Sequence, residues 1–297
     1  MSADPIPVLE VGGTHVTAAL LGPRDWSYLV PPHRTDLDGH GTAAEILGAF
    51  AAAARTLDAA AGASWGVAMP DPFDYEHGIG RFHGVAKFEA LDGVDVRAAL
   101  RESLPAPRGI AFVNDADAFA LGEAAQGAAS GRRRVAGLTL GTGVGSGWVV
   151  DGHVVSDGPG IPPGGRIHQL DALGRPLEDV MSRRAIRRAY RDAGGDDLDV
   201  REIADRARRG EAAAIEVLRH ALCALGKVVG GCVLGFGADV LVVGGSMAGS
   251  WQLFEPWFRA GAGELPAEIV VSADSERAGL VGAALAALAA LAESSPS

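Results

Sequence analysis

Three short segments stop an apolar run at closely spaced glycines: Glu10–Thr14 (EVGGT), Leu140–Gly145 (LGTGVG) and Val242–Ser246 (VVGGS). Glycine lets backbone N–H groups approach an anion closely and point at it. Taken singly, each segment reads as a tight turn. As a pair, Gly12-Gly13-Thr14 and Gly141-Thr142-Gly143 can hold a polyphosphate from two sides, with the Thr14 and Thr142 hydroxyls as further donors. Between them stands Asn114-Asp115, directly after the apolar run Ile110–Val113. A carboxylate within hydrogen-bond reach of a hydroxyl orients it and accepts its proton, which makes Asp115 a candidate general base. Asn114 can donate to and accept from neighbouring hydroxyls. The alternative for this pair is a cap on the helix that follows. Gly244-Gly245-Ser246 is either a close-packed strand-to-helix turn or part of a ligand site, and the two are compatible.

The elements that must position these residues recur. Pro7–Val11 and His15–Leu21 read as two strands around the first glycine turn; Val135–Leu140 and Gly147–Val150 do the same around the second. Helical spacing is read over Gly41–Ala61, Val94–Leu104, Asp117–Ala129, Ser182–Ala193, Val200–Ala207, Ala212–Val233 and Ala278–Ala292. Buried strands are expected at Trp65–Met69, Ile110–Val113, Val240–Val243 and Ile269–Ser272, with a loop-rich insertion from Asp71 to Leu91. Strand–helix alternation argues for α/β layers. Its duplication implies two similar lobes with a cleft between them, the usual place for a small ligand.

Of 297 residues, 48% are hydrophobic, 21% charged and 6% aromatic, the profile of an ordinary globular protein. The net charge of −11 disfavours nucleic acid as a partner, because that needs a basic footprint to release counterions. Arg132-Arg133-Arg134 reads as a solvated turn. Two cysteines, Cys223 and Cys232, are too few for a disulfide framework or a four-cysteine zinc site and suggest a reducing, cytoplasmic compartment. The first residues lack the basic and apolar regions of a secretory signal. Cys223–Gly245 is apolar but carries Lys227, Asp239 and many glycines, so no membrane span is expected.

The order of EVGGT, Asn114-Asp115 within FVNDADAFALGEA, LGTGVG and VVGGS, closed by SADSERAGLVGAALAAL, resembles the ROK family of sugar kinases. The resemblance runs from about Val8 to the last helix. It implies a two-lobed actin/hexokinase-like (ribonuclease H-like) α/β fold with a central cleft. Its N-terminal lobe would be residues 1–116, completed by a C-terminal helix over 278–297, and its second lobe residues 117–277. It further implies ATP as donor, phosphates held by Gly12, Gly13, Thr14, Gly141, Thr142 and Gly143, and contacts from Gly244, Gly245 and Ser246 to adenosine. Asp115 would act on the 6-hydroxyl of a hexose, beside Asn114. Glu10 stands where the family usually has aspartate, and would hold hydrated Mg2+ through water. Family habit also implies a homodimer.

Several positions depart from the family pattern. The family often carries Glu-X-Gly-His, a cysteine-rich zinc loop, then Leu-Glu with a Ser four residues later. Here His168, Glu178 and Ser182 remain, nine residues separate His168 from Glu178, and Gly165 occupies the place of the first glutamate. No zinc site is therefore expected, and His168 and Glu178 are candidates for binding ring hydroxyls. Pro70-Asp71-Pro72 replaces the common Pro-Gly-Pro, so Asp71 is a candidate to pair with the ammonium of an amino sugar; a turn-stabilising role is the alternative. Phe82, His83, Lys87 and Phe88 are expected near the sugar pocket, without assigned contacts. The Phe73–Glu76 segment makes the chain similar to kanosamine kinases of antibiotic-producing pathways within the family. The expected activity is thus ATP-dependent phosphorylation of a hexose or amino-hexose, with kanosamine or glucose favoured. Alternatives are an N-acetylhexosamine kinase, a polyphosphate-using glucokinase or a non-catalytic sugar sensor. Repressors of the family carry an additional helix-turn-helix domain, for which the early first strand leaves no room.

Overall fold

Apolar continuity decides the centre of each sheet. IPVLEV, SWGVAM and VLVVG are buried along almost their whole length, the pattern of strands covered on both faces. The computed structural model describes residues 4–85 and 87–293. Its elements begin with β1 (Ile6–Val11), β2 (His15–Leu21), β3 (His33–Asp36), α1 (Ala43–Arg55), β4 (Ser64–Met69), β5 (Phe73–Asp74), β6 (Ile79–Gly80), α2 (Val96–Ser103), β7 (Gly109–Asn114) and α3 (Asp115–Gln126). They continue with β8 (Arg134–Leu140), β9 (Val144–Val150), β10 (His153–Val154), α4 (Glu178–Met181), α5 (Arg183–Asp192), α6 (Val200–Arg208), α7 (Ala212–Phe236), β11 (Val240–Gly244), α8 (Trp251–Ala262), β12 (Glu268–Val271) and α9 (Ser275–Glu293).

Two compact units result, one of residues 4–122 with 276–293 and one of residues 123–275. Their borders fall within α3 and at the start of α9, a few residues from positions 116 and 277. Residues 1–3 and 294–297 of the expected first lobe lie outside the described residues. In the first unit the strand order is β3-β2-β1-β4-β7; in the second it is β10-β9-β8-β11-β12. Each sheet is an antiparallel three-strand meander continued by two parallel strands. The duplication read from the glycine turns is therefore a duplication of topology.

The first unit is drawn tight by glycines. A Cβ on Gly66 of β4 would lie 2.0 Å from the Ala283 carbonyl of α9, and one on Gly282 would lie 1.9 Å from the Ala118 carbonyl of α3. The apolar small-residue helix α9 thereby closes on β4 and α3. In the second unit α7 and α8 meet in the same way, through Gly226 against Phe258 and Gly261 against Cys223. By length and composition α7 and α9 could each cross a bilayer; about half of each is buried in these cores.

Several boundaries move for local reasons. Helix α1 begins at Ala43, because Thr42 and Glu45 form a capping box, and ends at Arg55, well short of Ala61. Helix α3 begins at Asp115, two residues earlier than its periodicity indicates. The exposed strand β3 and the helix α8, which carries Pro256, escaped the pattern reading; β3 has no apolar alternation to betray it. The insertion holds a short β5–β6 hairpin. Within it Phe82 and Phe88 are buried in the core with Phe73, which corrects their expected place beside a sugar. His83 is exposed.

Candidate active site

In the first unit, the β1–β2 turn is closed by the Gly12 N–H donating to the His15 carbonyl at 2.9 Å. Arg34 of β3 donates to Nε2 of His15. A guanidinium has only donors, so Nε2 accepts and the neutral ring carries its proton on Nδ1, 3.2 Å from the Thr14 hydroxyl. Burial first, and the Arg34 charge second, hold the His15 imidazole below its ordinary value. The Lys87 ammonium donates to the Gly13 carbonyl at 3.0 Å.

Glu10 lies one residue before the end of β1, opposite Thr17. Its carboxylate lies against the first turns of α9, where a Cβ on Gly279 would stand 3.5 Å from Oε1. Thr17 donates to Glu276 at 2.6 Å in the same region. Mg2+ bound with nucleotide takes one or two carboxylates, phosphate oxygens and waters rather than an all-protein cage. A single half-buried carboxylate beside the turn fits that donor set. Among the described residues no group of three or more His, Cys, Asp or Glu side chains is arranged to hold a metal by itself.

Beyond the turn, β7 delivers Asn114 and Asp115. Asn114 is buried, and its carbonyl accepts from the N–H groups of Ala116 (3.0 Å) and Asp117 (3.2 Å), capping α3. Its amide donates to Asp71 Oδ2 (3.0 Å) and to the Tyr75 hydroxyl (3.1 Å). Tyr75 in turn donates to Asp71 Oδ1 at 2.8 Å. Both hydrogen-bond donors and both acceptor positions of Asn114 are thus used within the protein. Asn114 thus caps the helix and orients Asp71, which corrects its expected place on substrate hydroxyls, while Asp115 is exposed between two buried neighbours. Tyr75 is the member that sequence reasoning missed. Its place in the Phe73–Glu76 segment was visible, but its reach back to Asp71 was not.

In the second unit, the β8–β9 turn is closed by the Gly141 N–H on the Gly143 carbonyl at 3.0 Å. Glu178, at the start of α4, accepts the Val144 N–H at 3.0 Å, and a Cβ on Gly143 would lie 2.9 Å from its Oε1. The structure therefore seats Glu178 against the second glycine turn. Burial pushes its carboxyl above the usual range, offset in part by the Val144 N–H and the Arg184 charge.

Gly245 has φ of 86°, and a Cβ there would stand 2.4 Å from the Leu140 carbonyl, so only glycine fits. That carbonyl also accepts the Met247 N–H at 2.9 Å, and Ser246 Oγ lies 3.4 Å from the Cβ position of Gly141. The segments 141–143 and 244–246, a hundred residues apart in the chain, are brought together.

The loop before His168 is pinned to β9. Ser146 and the Trp148 indole donate to the Gly165 carbonyl at 2.6 and 3.2 Å, and Ser146 accepts the Ile167 N–H at 3.1 Å. Ser182 is a buried N-cap of α5. Both cysteines are free thiols; burial pushes that of Cys232 up to about 11. Arg132 and Arg133 pair with Glu268 and Asp151, and Arg134 stacks on Phe236.

Two α/β units of repeated topology, each with a glycine hairpin turn, define the actin/hexokinase-like class. The ROK family model matches residues 8–290, and the chain belongs to the ROK family. It is 29% identical over 249 residues to a glucokinase of Thermotoga maritima, covering 74% of this chain and 77% of that one. It is 26% identical over 272 residues to an N-acetyl-D-glucosamine kinase of Haemophilus influenzae, covering 83% and 86%. The ROK hexokinase of Thermus thermophilus superimposes with a TM-score of 0.77 at 25% identity, covering 97% of this chain and 99% of that one.

Proposed function

We propose that this chain, a sugar kinase, transfers the γ-phosphoryl group of ATP to the 6-hydroxyl of a hexose or amino-hexose, with kanosamine or glucose as the preferred acceptor. The observation that carries the reading is Asp115: a carboxylate exposed at the start of α3, in the unit that also holds the Gly12–Thr14 turn. Asp115 orients the acceptor hydroxyl and takes its proton as the O6–Pγ bond forms and the bond from Pγ to the β,γ-bridging oxygen breaks, releasing ADP. The N–H groups of the turns at Gly12–Thr14 and Gly141–Gly143 position the phosphates, and Gly244–Ser246 takes the adenosine end. Glu10 would hold Mg2+, which neutralises phosphate charge when bound.

Asp71 is the residue we assign to amino-sugar preference. Asn114 and Tyr75 hold its carboxylate in place, and an ammonium brought to it would form a charge-assisted hydrogen bond worth about 1.5–3 kcal/mol. His168 and Glu178 complete the acceptor side in this reading. The protein acts in the cytoplasm as a homodimer, a reading in keeping with its free thiols and its family. Polyphosphate as donor finds less support, because Arg132, Arg133 and Arg134 are already engaged within the second unit.

The test is ADP release from Mg-ATP over kanosamine, glucose, glucosamine, N-acetylglucosamine, N-acetylmannosamine, mannose, fructose and allose, with phosphorus NMR locating the product phosphate. Turnover with kanosamine or glucose, lost by at least 100-fold in Asp115→Ala, is expected. No turnover with any sugar by a folded, ATP-binding protein would overturn the reading in favour of a sensor. Turnover confined to N-acetylhexosamines would overturn the assigned acceptor. For Asp71→Gly, an unchanged ratio of kanosamine to glucose turnover would remove Asp71 from recognition.

A further inference from the structure

We propose that Lys87 is a catalytic residue whose ammonium contacts the transferring phosphoryl group at the first glycine turn; this rests on the kinase reading above. Lys87 is one of only two lysines in the chain and comes from the insertion, 74 residues from the glycine it touches. Its Nζ donates to the Gly13 carbonyl, which occupies one of its three N–H bonds and leaves two for phosphate oxygens.

The loop is built to hold the ammonium there. Phe82 and Phe88, on either side of it in sequence, are buried with ring centroids 5.4 Å apart. The Phe88 N–H donates to the Gly39 carbonyl at 2.7 Å. The lysine stem runs past Gly39, whose Cβ position lies 3.5 Å from Lys87 Cβ and Cδ. A Cβ on Gly13 would stand 2.4 Å from the ammonium, so a side chain there would push the lysine tip aside. The other cation at the turn, Arg34, is directed at His15.

A compact point charge at this position stabilises negative charge as it shifts towards the bridging oxygen of the leaving ADP. The hydroxyl proton goes to Asp115, and the broken Pγ–O bond leaves its electron pair on ADP.

The experiment compares wild type, Lys87→Met, Lys87→Arg, Gly13→Ala, the Lys87→Met/Gly13→Ala double variant and Asp115→Ala under the same assay. Lys87→Met is expected to lose about 100–1000-fold in kcat. Its KM for the sugar should stay within about twofold and its melting temperature within about 2 °C. Lys87→Arg should recover part of the loss. Gly13→Ala, which displaces the ammonium, should match Lys87→Met, and the double variant should be no worse than the more impaired single one. Lys87→Cys alkylated with 2-bromoethylamine restores an ammonium and should regain at least tenfold in kcat over the unalkylated protein. With wild type active and Asp115→Ala inactive, a Lys87→Met kcat within about threefold of wild type would overturn the proposal alone. A loss unrescued by alkylation and matched by a fall in melting temperature would overturn it too, by showing a structural role. An inactive wild type would overturn the kinase reading and this inference with it.

Discussion

Replacing Asn114 by alanine removes four hydrogen bonds at once, and their separate contributions predict the outcome. Loss of the N-cap on Ala116 and Asp117 costs about 0.5–2 kcal/mol. Loss of the bond to the Asp71 carboxylate costs a further 1.5–3 kcal/mol or so, and the neutral bond to Tyr75 about 1 kcal/mol. Asp71 keeps its Tyr75 partner and is only half-buried, so part is recovered and the net loss should be about 2–4 kcal/mol. At roughly 2–4 °C per kcal/mol, the first unit should melt about 4–16 °C lower. Asn114→Asp separates the terms. It retains a capping oxygen but sets a second carboxylate about 3 Å from Asp71 Oδ2. At pH 7 it should be destabilised about as much as Asn114→Ala. In acid, where one carboxyl of the facing pair is protonated, the deficit relative to wild type should shrink. Thermal unfolding of the three proteins from pH 4 to 8 is the assay. An Asn114→Ala loss below about 0.5 kcal/mol, or an Asn114→Asp deficit that does not vary with pH, would refute the reasoning.

Two further outcomes follow from the packing and from burial. Gly282→Ala drives a methyl into the Ala118 carbonyl and forces α9 away from α3, so denaturant unfolding should show a loss of about 1–3 kcal/mol or more; a neutral result would mean the two helices do not approach as described. Glu178 binds its proton more tightly folded than unfolded, so its contribution is complete below the unfolded value of 4.5 and is lost as pH rises through the raised folded value. Glu178→Gln keeps an acceptor for Val144 without a charge, so its stability relative to wild type should climb across that window and then level off; a pH-independent difference would contradict the burial argument.

Local structure was legible without a fold. Closely spaced glycines after apolar runs marked the hairpin turns, because they interrupt the apolar pattern that a strand needs. Asp115 was legible as the polar residue following a buried strand, and the repeated strand–glycine–strand order announced two units of like topology. The strand β3 was not, since an exposed edge strand carries no hydrophobic alternation. Nor was the fate of Phe82 and Phe88, because aromatic residues in an insertion serve a core or a pocket equally well until the chain is packed. Tertiary structure alone brought Asn114 to Asp71 across 43 residues, Glu178 to Val144 across 34 and Lys87 to Gly13 across 74. Sequence spacing sets which face of a helix or strand a side chain occupies. Which distant carbonyl, carboxylate or N–H it then meets depends on how those elements stack, and here that stacking is governed by backbone contacts at Gly66, Gly245 and Gly282 that no periodicity encodes.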